Sequence, residues 1–337
     1  MEYNINFPNL GIYLDHVGKN FSIGGFTIAF YGIAIAIGMV LGITVLMKRA
    51  DNTGQNSDDY LDMAIRAMIF GIIGARIYYV VFSWDLYRDN LISVFSIREG
   101  GLAIYGGIIG GVLTLFVEAK RRHMNIGRIL DTCVLGLPIG QIIGRWGNFF
   151  NREAFGRYTD SLFAMQLPVS AVRQNEITEQ MWENLKIIGD IGYIQVHPTF
   201  LYEGIWNCCV LLVLFLRRNR TKFRGELFLT YAAGYGLGRF LIEPLRTDQL
   251  LIRGTSIPVS MMLSAAAAVI AVILIIFGRR RAAGKQTEQA AADVSESAQA
   301  LENTADEREQ KDGCEAPVEE KCSPKQVPEQ SEDSSKY

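Results

Sequence analysis

The chain has 337 residues, 49% of them hydrophobic, with 33 Lys plus Arg against 35 Asp plus Glu for a formal net charge of −2. That length suggests two or three soluble domains, but several apolar stretches approach or exceed the roughly 20 residues that cross a bilayer core, which excludes a soluble class. The near-neutral total hides basic loops and an acidic C-terminal region, so net charge selects no partner, and no nucleic acid is expected.

In chain order, residues 1 to 25 are mixed and lack a basic segment followed by a short apolar run, so no cleavable signal peptide is expected. Seven candidate spans follow, at about 26 to 47, 61 to 82, 101 to 119, 128 to 146, 200 to 216, 226 to 243 and 257 to 278. Backbone groups in lipid must bond internally, and the even alternation of a barrel is missing, so the spans read as helices. The expected class is an all-α integral membrane protein of seven transmembrane helices, with one membrane domain over 1 to 283.

Short-loop bases set the orientation. Lys48 and Arg49 follow span one; Lys120, Arg121, Arg122 and Arg128 link spans three and four; Arg217, Arg218, Arg220, Lys222 and Arg224 link five and six; Arg279, Arg280 and Arg281 follow span seven. The opposite loops carry only Arg88, Arg98, Arg246 and Arg253. The N-terminus is therefore expected outside and the C-terminus in the cytoplasm.

The connection at about 147 to 199, with Trp182, Leu185, Ile187, Ile188, Ile191 and Ile194, is expected to form a small extracytoplasmic cap. Residues 284 to 337 are acidic and polar, with too little apolar surface to offset ordering entropy, and are expected to be disordered. Cys133, Cys208, Cys209, Cys314 and Cys322 show neither a zinc spacing nor a disulfide framework. Gly136, Gly140 and Gly144 recur every four residues, as do Gly106 with Gly110, Gly107 with Gly111, Gly38 with Gly42, and Gly234 with Gly238. Small residues at that spacing let helix backbones approach closely. Spans one, three, four and six are expected at the centre, and span seven at the periphery.

The topology then gathers polar groups. Spans two, four and six run outward, which brings Arg76, Arg145 with Asn148, and Arg239 with Glu243 toward the outer leaflet. Spans one, three and five start there with Tyr31, Tyr105, Tyr202 and Glu203. Gln141, Arg145 and Asn148 share one face if the helix continues past Gly147, and Arg239 and Glu243 lie one turn apart. Charges in lipid mark functional sites by default, and arginine forks suit phosphate oxygens. The head group of an anionic phospholipid is the ligand this points to. The structural alternative makes Arg239 and Glu243 a mutually neutralising pair and lets Arg145 snorkel to the interface. His197 is open between a structural and a chemical role.

Gly144 to Gly156 resembles the signature Gly-Arg-x-Gly-Asn-Phe-x-Asn-x-Glu-x-x-Gly of the bacterial prolipoprotein diacylglyceryl transferase family, with Gly144, Arg145, Gly147, Asn148, Phe149, Asn151, Glu153 and Gly156 at the fixed positions. The likeness extends to Gly74 through Tyr79, to His197-Pro198-Thr199 with Tyr202 and Glu203, and to Arg239 through Glu243 with Arg246. It covers about residues 20 to 280.

The resemblance implies transfer of the sn-1,2-diacylglyceryl group of phosphatidylglycerol to the lipobox cysteine thiol of prolipoprotein signal peptides. A thioether forms and glycerol 1-phosphate leaves, with no metal or organic cofactor, at the outer leaflet of the bacterial cytoplasmic membrane. Charge would develop on the phosphate oxygens in that reaction, so Arg145 and Arg239 are expected at the phosphate, Asn148 and Asn151 as amide donors or orienting groups, and Glu243 as the group that positions Arg239. Glu153, Gly156, Tyr31, Arg76, Glu203 and Arg246 complete the substrate-binding set. Tyr105 stands where many relatives carry a histidine proposed as base, so it enters as a candidate catalytic group. The competing functional class is a transporter for an anionic solute; polar groups near one leaflet, without inverted half-repeats, weigh against it.

Overall fold

A computed structural model describes residues 4–96, 100–252, 254–255 and 257–312. Arg98, Arg253, Cys314 and Cys322, used above, lie outside the described residues. Two units divide the chain, Met1–Ala282 and Ala283–Tyr337.

The helices are α1 (Phe30–Asn52), α2 (Ser57–Phe82), α3 (Ile104–Arg121), α4 (Ile126–Cys133), α5 (Gly136–Asn151), the short α6 (Glu179–Glu183), α7 (Thr199–Arg217), α8 (Glu226–Ile242) and α9 (Val259–Asp312). Their starts follow ordinary capping: the Asn56 side chain accepts the Asp58 amide before α2, and Asn125 accepts the Arg128 amide before α4. Among the described residues, five helices are long and apolar enough to cross a membrane: α1, α2, α4 and α5 taken together, α7, and α9 over Val259–Gln289. The other two expected spans are helical at their expected positions but fall short by that measure. α3 carries Glu118, Lys120 and Arg121 in its last turns, and α8 has 17 residues.

Both nevertheless run along most of a longer partner. α3 starts where the Ala103 amide meets the Ala75 carbonyl near the end of α2, and beyond its last turn Arg122 reaches Asp59 and Asp62 near the start of α2. α8 starts with Glu226 paired to Arg217 at the end of α7, and finishes with Arg239 on Glu203 near the start of α7.

The glycines explain the close pairs. A Cβ on Gly38 would sit 3.3 Å from the Gly140 Cα, and one on Gly42 would sit 3.0 Å from the Gly136 carbonyl, so α1 and α5 touch backbone to backbone. Gly106 and Gly110 notch α3 against Gly74 and Phe70 of α2. The expected central role of span three is therefore corrected, since its glycines face α2 rather than the α1 and α5 pair.

An all-α class is also corrected. β1 (Ile5–Phe7), β2 (Ile12–Leu14), β5 (Met165–Pro168), β6 (Lys186–Ile188) and β7 (Ile191–Val196) form one antiparallel sheet in the order β2-β1-β5-β7-β6. β3 (Asn20–Ile23) and β4 (Phe26–Ala29) form a separate hairpin, so the first residues expected in span one are strand. These strands are three to six residues long, too short to register beside the hydropathy of the spans. The larger sheet buries Ile5, Met165, Leu167, Ile194 and Val196 against Phe149 of α5 and Phe200 of α7. It thus fixes the ends of those two helices. Of the apolar residues expected to hold the cap together, Ile194 is buried, while Trp182, Ile187 and Ile188 are exposed.

α9 continues to Asp312, past residue 283 where composition predicts that order ends. Ala, Glu, Gln, Lys and Arg dominate that stretch and have high helix propensity, so polarity there does not preclude a helix. Residues 313–337 lie outside the described part.

Candidate active site

The signature stretch is the end of a helix folded back on itself. α5 continues through Gly147 to Asn151, so Gln141, Arg145 and Asn148 do share a face. A side chain at Gly147 would strike the Tyr31 ring, with Cδ2 only 2.5 Å from a Cβ, so α1 packs directly on this turn. The helix then stops: Arg152 (φ 55°) and Ala154 (φ 56°) both adopt the left-handed conformation. The resulting turn returns Glu153 over the helix end, where its Oε1 accepts from Asn148 Nδ2 at 3.2 Å and Asn151 Nδ2 at 3.4 Å. Its Oε2 faces Arg173 Nη2 at 3.6 Å.

Gly156 closes the motif. Its amide donates to the His197 carbonyl at 2.9 Å, and the neighbouring Arg157 amide donates to the Leu245 carbonyl at 2.7 Å. A Cβ here would lie 2.6 Å from the His197 Cβ and 2.9 Å from the Leu245 oxygen. The absence of a side chain thus draws together the signature, the entry to α7 and the segment carrying Arg246.

The charges converge on Glu203, which is 5% exposed. Its Oε1 accepts from Arg239 Nη1 at 3.2 Å and from Arg246 Nη1 at 2.8 Å, while its Oε2 accepts from Arg145 Nη2. Arg239 also reaches Glu243 Oε2 at 2.8 Å, and Glu243 Oε1 accepts from the Ser260 hydroxyl at the start of α9. Arg246 forms a fork on Asp248, at 2.9 and 2.7 Å. Burial works against the charge on Arg246, but the carboxylates of Asp248 and Glu203 raise its pKa above the ordinary value. Burial likewise opposes ionisation of Asp248, and Arg246 outweighs it to hold that carboxyl below its usual range. Three guanidiniums and three carboxylates thus balance in a region largely withdrawn from water.

The balance leaves unused donors. Among the described residues, Arg145 is engaged only through Nη2 and Arg239 only through Nη1 and Nη2. Nε and Nη1 of Arg145 and Nε of Arg239 remain for an incoming anion. Asn148 stands one helical turn beyond Arg145 on the same face.

Two expected members lie elsewhere. Arg76 is buried, and all its donors go to backbone carbonyls: Nε to Val94 at 2.7 Å, Nη1 to Gly100 at 2.8 Å and Gly101 at 2.9 Å, Nη2 to Ser93 at 2.7 Å and Ser96 at 3.4 Å. It anchors the loop between α2 and α3. Tyr105 opens α3 with its ring centroid 6.5 Å from that of Tyr78, on the same α2 and α3 face. Neither joins the Glu203 network.

His197 lies just before α7 with Nδ1 3.2 Å from the Tyr202 hydroxyl, and burial lowers its pKa below the ordinary value. Its Cβ packs beside Gly156. What the spacing of residues did not reveal is that Glu203 serves three arginines at once. Its partners lie 58, 36 and 43 positions away, on α5, on α8 and after α8. Asp248 and Ser260 were missed for the same reason; the one available signal was the excess of arginines over acids at that depth.

An apolar cavity of about 420 Å³ lies one turn before Arg145 on α5, lined by Gly38, Met39, Ala64, Ala67, Gly140 and Gln141 among others. Gln141 donates to the Tyr231 hydroxyl at 2.7 Å at its edge. The cavity falls within the size range of small-molecule sites. It suits hydrocarbon.

A family model described as prolipoprotein diacylglyceryl transferase matches residues 19–277. The chain is similar to a protein named phosphatidylglycerol--prolipoprotein diacylglyceryl transferase from Clostridioides difficile strain 630, 42% identical over 232 residues, covering 69% of this chain and 84% of that protein. Proteins of the same name from Clostridium botulinum strain Langeland and from Halalkalibacterium halodurans are 41% and 38% identical over 244 residues, covering 72% of this chain and 90% and 79% of theirs.

Proposed function

The chain belongs to the prolipoprotein diacylglyceryl transferase family, and from that premise we propose how its arginine cluster performs the transfer. The enzyme moves the sn-1,2-diacylglyceryl group of phosphatidylglycerol onto the lipobox cysteine thiol of a prolipoprotein. The sulfur attacks the glyceryl carbon that bears the phosphate, a carbon–sulfur bond forms, and the carbon–oxygen bond breaks. The electron pair leaves on glycerol 1-phosphate.

The observation that carries this reading is the pair of arginines, Arg145 and Arg239, joined through Glu203 and each retaining unused donors. Charge grows on the phosphate oxygens as the carbon–oxygen bond breaks. Preorganised guanidiniums in a dry setting stabilise that charge without reorganising at the moment of reaction. Arg145 and Arg239 hold the phosphate, Asn148 directs an amide at it, and Glu203 and Glu243 fix the two forks. Asn151, Glu153 and Gly156 keep the signature turn in shape, Arg246 braces Glu203, and Tyr31 closes the site against Gly147. The acyl chains occupy the apolar cavity beside Gln141. A free thiol already has some thiolate at neutral pH, and adjacent arginines enlarge that fraction. Tyr105 and Arg76 organise the α2 and α3 pair instead of joining the reaction.

The membrane arrangement follows the same reading. The transferase unit spans about residues 1–283 and crosses seven times, because α3 and α8 run antiparallel along most of α2 and α7. The cap at about 147–199 and the arginine cluster face the outer leaflet of the cytoplasmic membrane, where phosphatidylglycerol and the prolipoprotein signal peptide meet. The polar tail lies on the cytoplasmic side.

Purified protein incubated with phosphatidylglycerol and a lipobox peptide tests the proposal through glycerol 1-phosphate release and the peptide's mass gain. Arg145→Ala and Arg239→Ala are each expected to lower turnover by ~10²- to 10³-fold with folding preserved. Tyr105→Phe is expected to retain turnover. Absence of product with well-folded wild-type protein would overturn the reading.

A further inference from the structure

A second basic site lies at the opposite end of the same helices. Lys48 and Arg49 are near the end of α1, and Arg218 and Asn219 immediately follow α7. In α1 the 18 residues between Tyr31 and Arg49 correspond to a rise of roughly 27 Å. That separation is about one hydrocarbon thickness, so this end and the Glu203 cluster belong to opposite leaflets. A cavity of about 480 Å³ opens there, lined by Lys48, Arg49, Asn52, Arg218 and Asn219 and floored by Val45, Leu135 and Phe215.

Among the described residues no carboxylate lines this cavity, and Lys48, Arg49 and Arg218 enter no salt bridge. Several bases elsewhere at this end are paired: Arg217 and Arg279 meet the buried Glu226, and Arg66 and Arg122 meet Glu118. The cavity is also held in shape. Arg49 Nη1 donates to Asn219 Oδ1 at 3.1 Å and Nη2 to the Arg218 carbonyl at 2.6 Å, which ties the end of α1 to the end of α7. The Arg218 guanidinium lies over the Phe215 ring, 5.1 Å from its centroid. Bases at span ends are what orientation requires, but orientation needs neither a shared cavity nor the exclusion of acids from it.

From this geometry we propose a binding site for the phosphate of an anionic glycerophospholipid at the end of the bundle remote from the reaction. The lipid phosphate sits among Lys48, Arg49 and Arg218, with Asn52 and Asn219 as polar neighbours. The start of the acyl chains lies on Val45, Leu135 and Phe215. The apolar floor selects a lipid over inorganic phosphate, which would have no use for it. Basic pockets between helices on a cytoplasmic face are suited to such head groups. The bound lipid locks α1 to α7 at the end away from Glu203.

The test uses the full-length protein in detergent, with retained lipid counted by native mass spectrometry. Probes are phosphatidic acid, zwitterionic phosphatidylcholine and inorganic phosphate. Lys48→Gln/Arg218→Gln alters two exposed side chains for which the structure records no side-chain hydrogen bond, and it is expected to weaken phosphatidic acid retention ~30-fold, from two cations near a lipid surface. Phosphatidylcholine retention and transferase turnover should stay unchanged. The charge-reversed Lys48→Glu/Arg218→Glu should retain still less phosphatidic acid. Equal retention by wild type and both variants would overturn the site, leaving the three bases as orientation signals alone. Displacement of the lipid by inorganic phosphate at a concentration where ionic strength alone has no effect would overturn the lipid as occupant and assign a free anion.

Discussion

At the scale of single residues, Glu203 matters because its loss would unbalance more than one contact. Replacing it with Gln leaves Arg145, Arg239 and Arg246 facing only Glu243 and Asp248 in a buried region. Removing one partner of a buried ion pair costs about 3–5 kcal/mol. Glu203→Gln is therefore expected to lower stability by that order and to abolish turnover, while Glu203→Asp recovers part of both; thermal unfolding in detergent and the transfer assay check this. His197 gives a pH effect of definite sign. Its folded pKa lies below the ordinary 6.5, so between the two values the unfolded chain binds more protons. Stability is accordingly full above pH 6.5 and declines as the pH falls through that window. His197→Gln should flatten the thermal midpoint there, and an unchanged slope would assign the acid sensitivity to another group. Arg145, Arg239 and Glu243 were legible in the sequence because a charge in an apolar span is conspicuous by itself. Glu203's role as their common partner was not, since it depends on three elements meeting in space.

At the scale of elements, hydropathy located the helices and their glycines located where some of them touch, but not always which partner they touch. Gly106 illustrates the distinction. A Cβ there would overlap the Gly74 carbonyl oxygen and the Tyr78 Cβ, both on α2, whereas one on Gly111 would find its nearest neighbour, the Ala67 carbonyl, at 3.9 Å. Overpacking of this kind typically costs about 1–3 kcal/mol. Gly106→Ala is expected to destabilise the protein by that amount and Gly111→Ala to leave it unaffected, a contrast readable by thermal unfolding of the two variants side by side. If they melted alike, the glycine spacing would carry no packing information. The strands escaped notice for a different reason: β1 and β5 are short and joined across more than 150 residues, so neither has a local partner to betray it. The cap that steadies Phe149 and Phe200 is consequently the least legible part of the site.

At the scale of the whole molecule, five crossings and seven make the same statement about the termini, because both numbers are odd. They differ about the loops. If α3 failed to cross, the residues on either side of it would face one compartment; the same holds for α8. Single cysteines in a cysteine-free background separate the cases at exposed positions: Asp89 before α3, Arg121 at its end, Arg220 before α8 and Leu250 after it. With seven crossings, a membrane-impermeant maleimide applied to intact cells should label Asp89→Cys and Leu250→Cys, and should reach Arg121→Cys and Arg220→Cys only after permeabilisation. Asp190→Cys, in the turn between β6 and β7, should label with the first group. The expectation is strict because each helix is tied at both ends. Arg122 meets Asp59 and Arg239 meets Glu203, so neither α3 nor α8 can withdraw from its partner without breaking an ion pair at one end. Labelling of Asp89→Cys and Arg121→Cys from the same side would therefore refute the seven-crossing arrangement. Agreement of Asp190→Cys with Leu250→Cys would place the cap and the Arg246 segment, which Gly156 holds together, in one compartment.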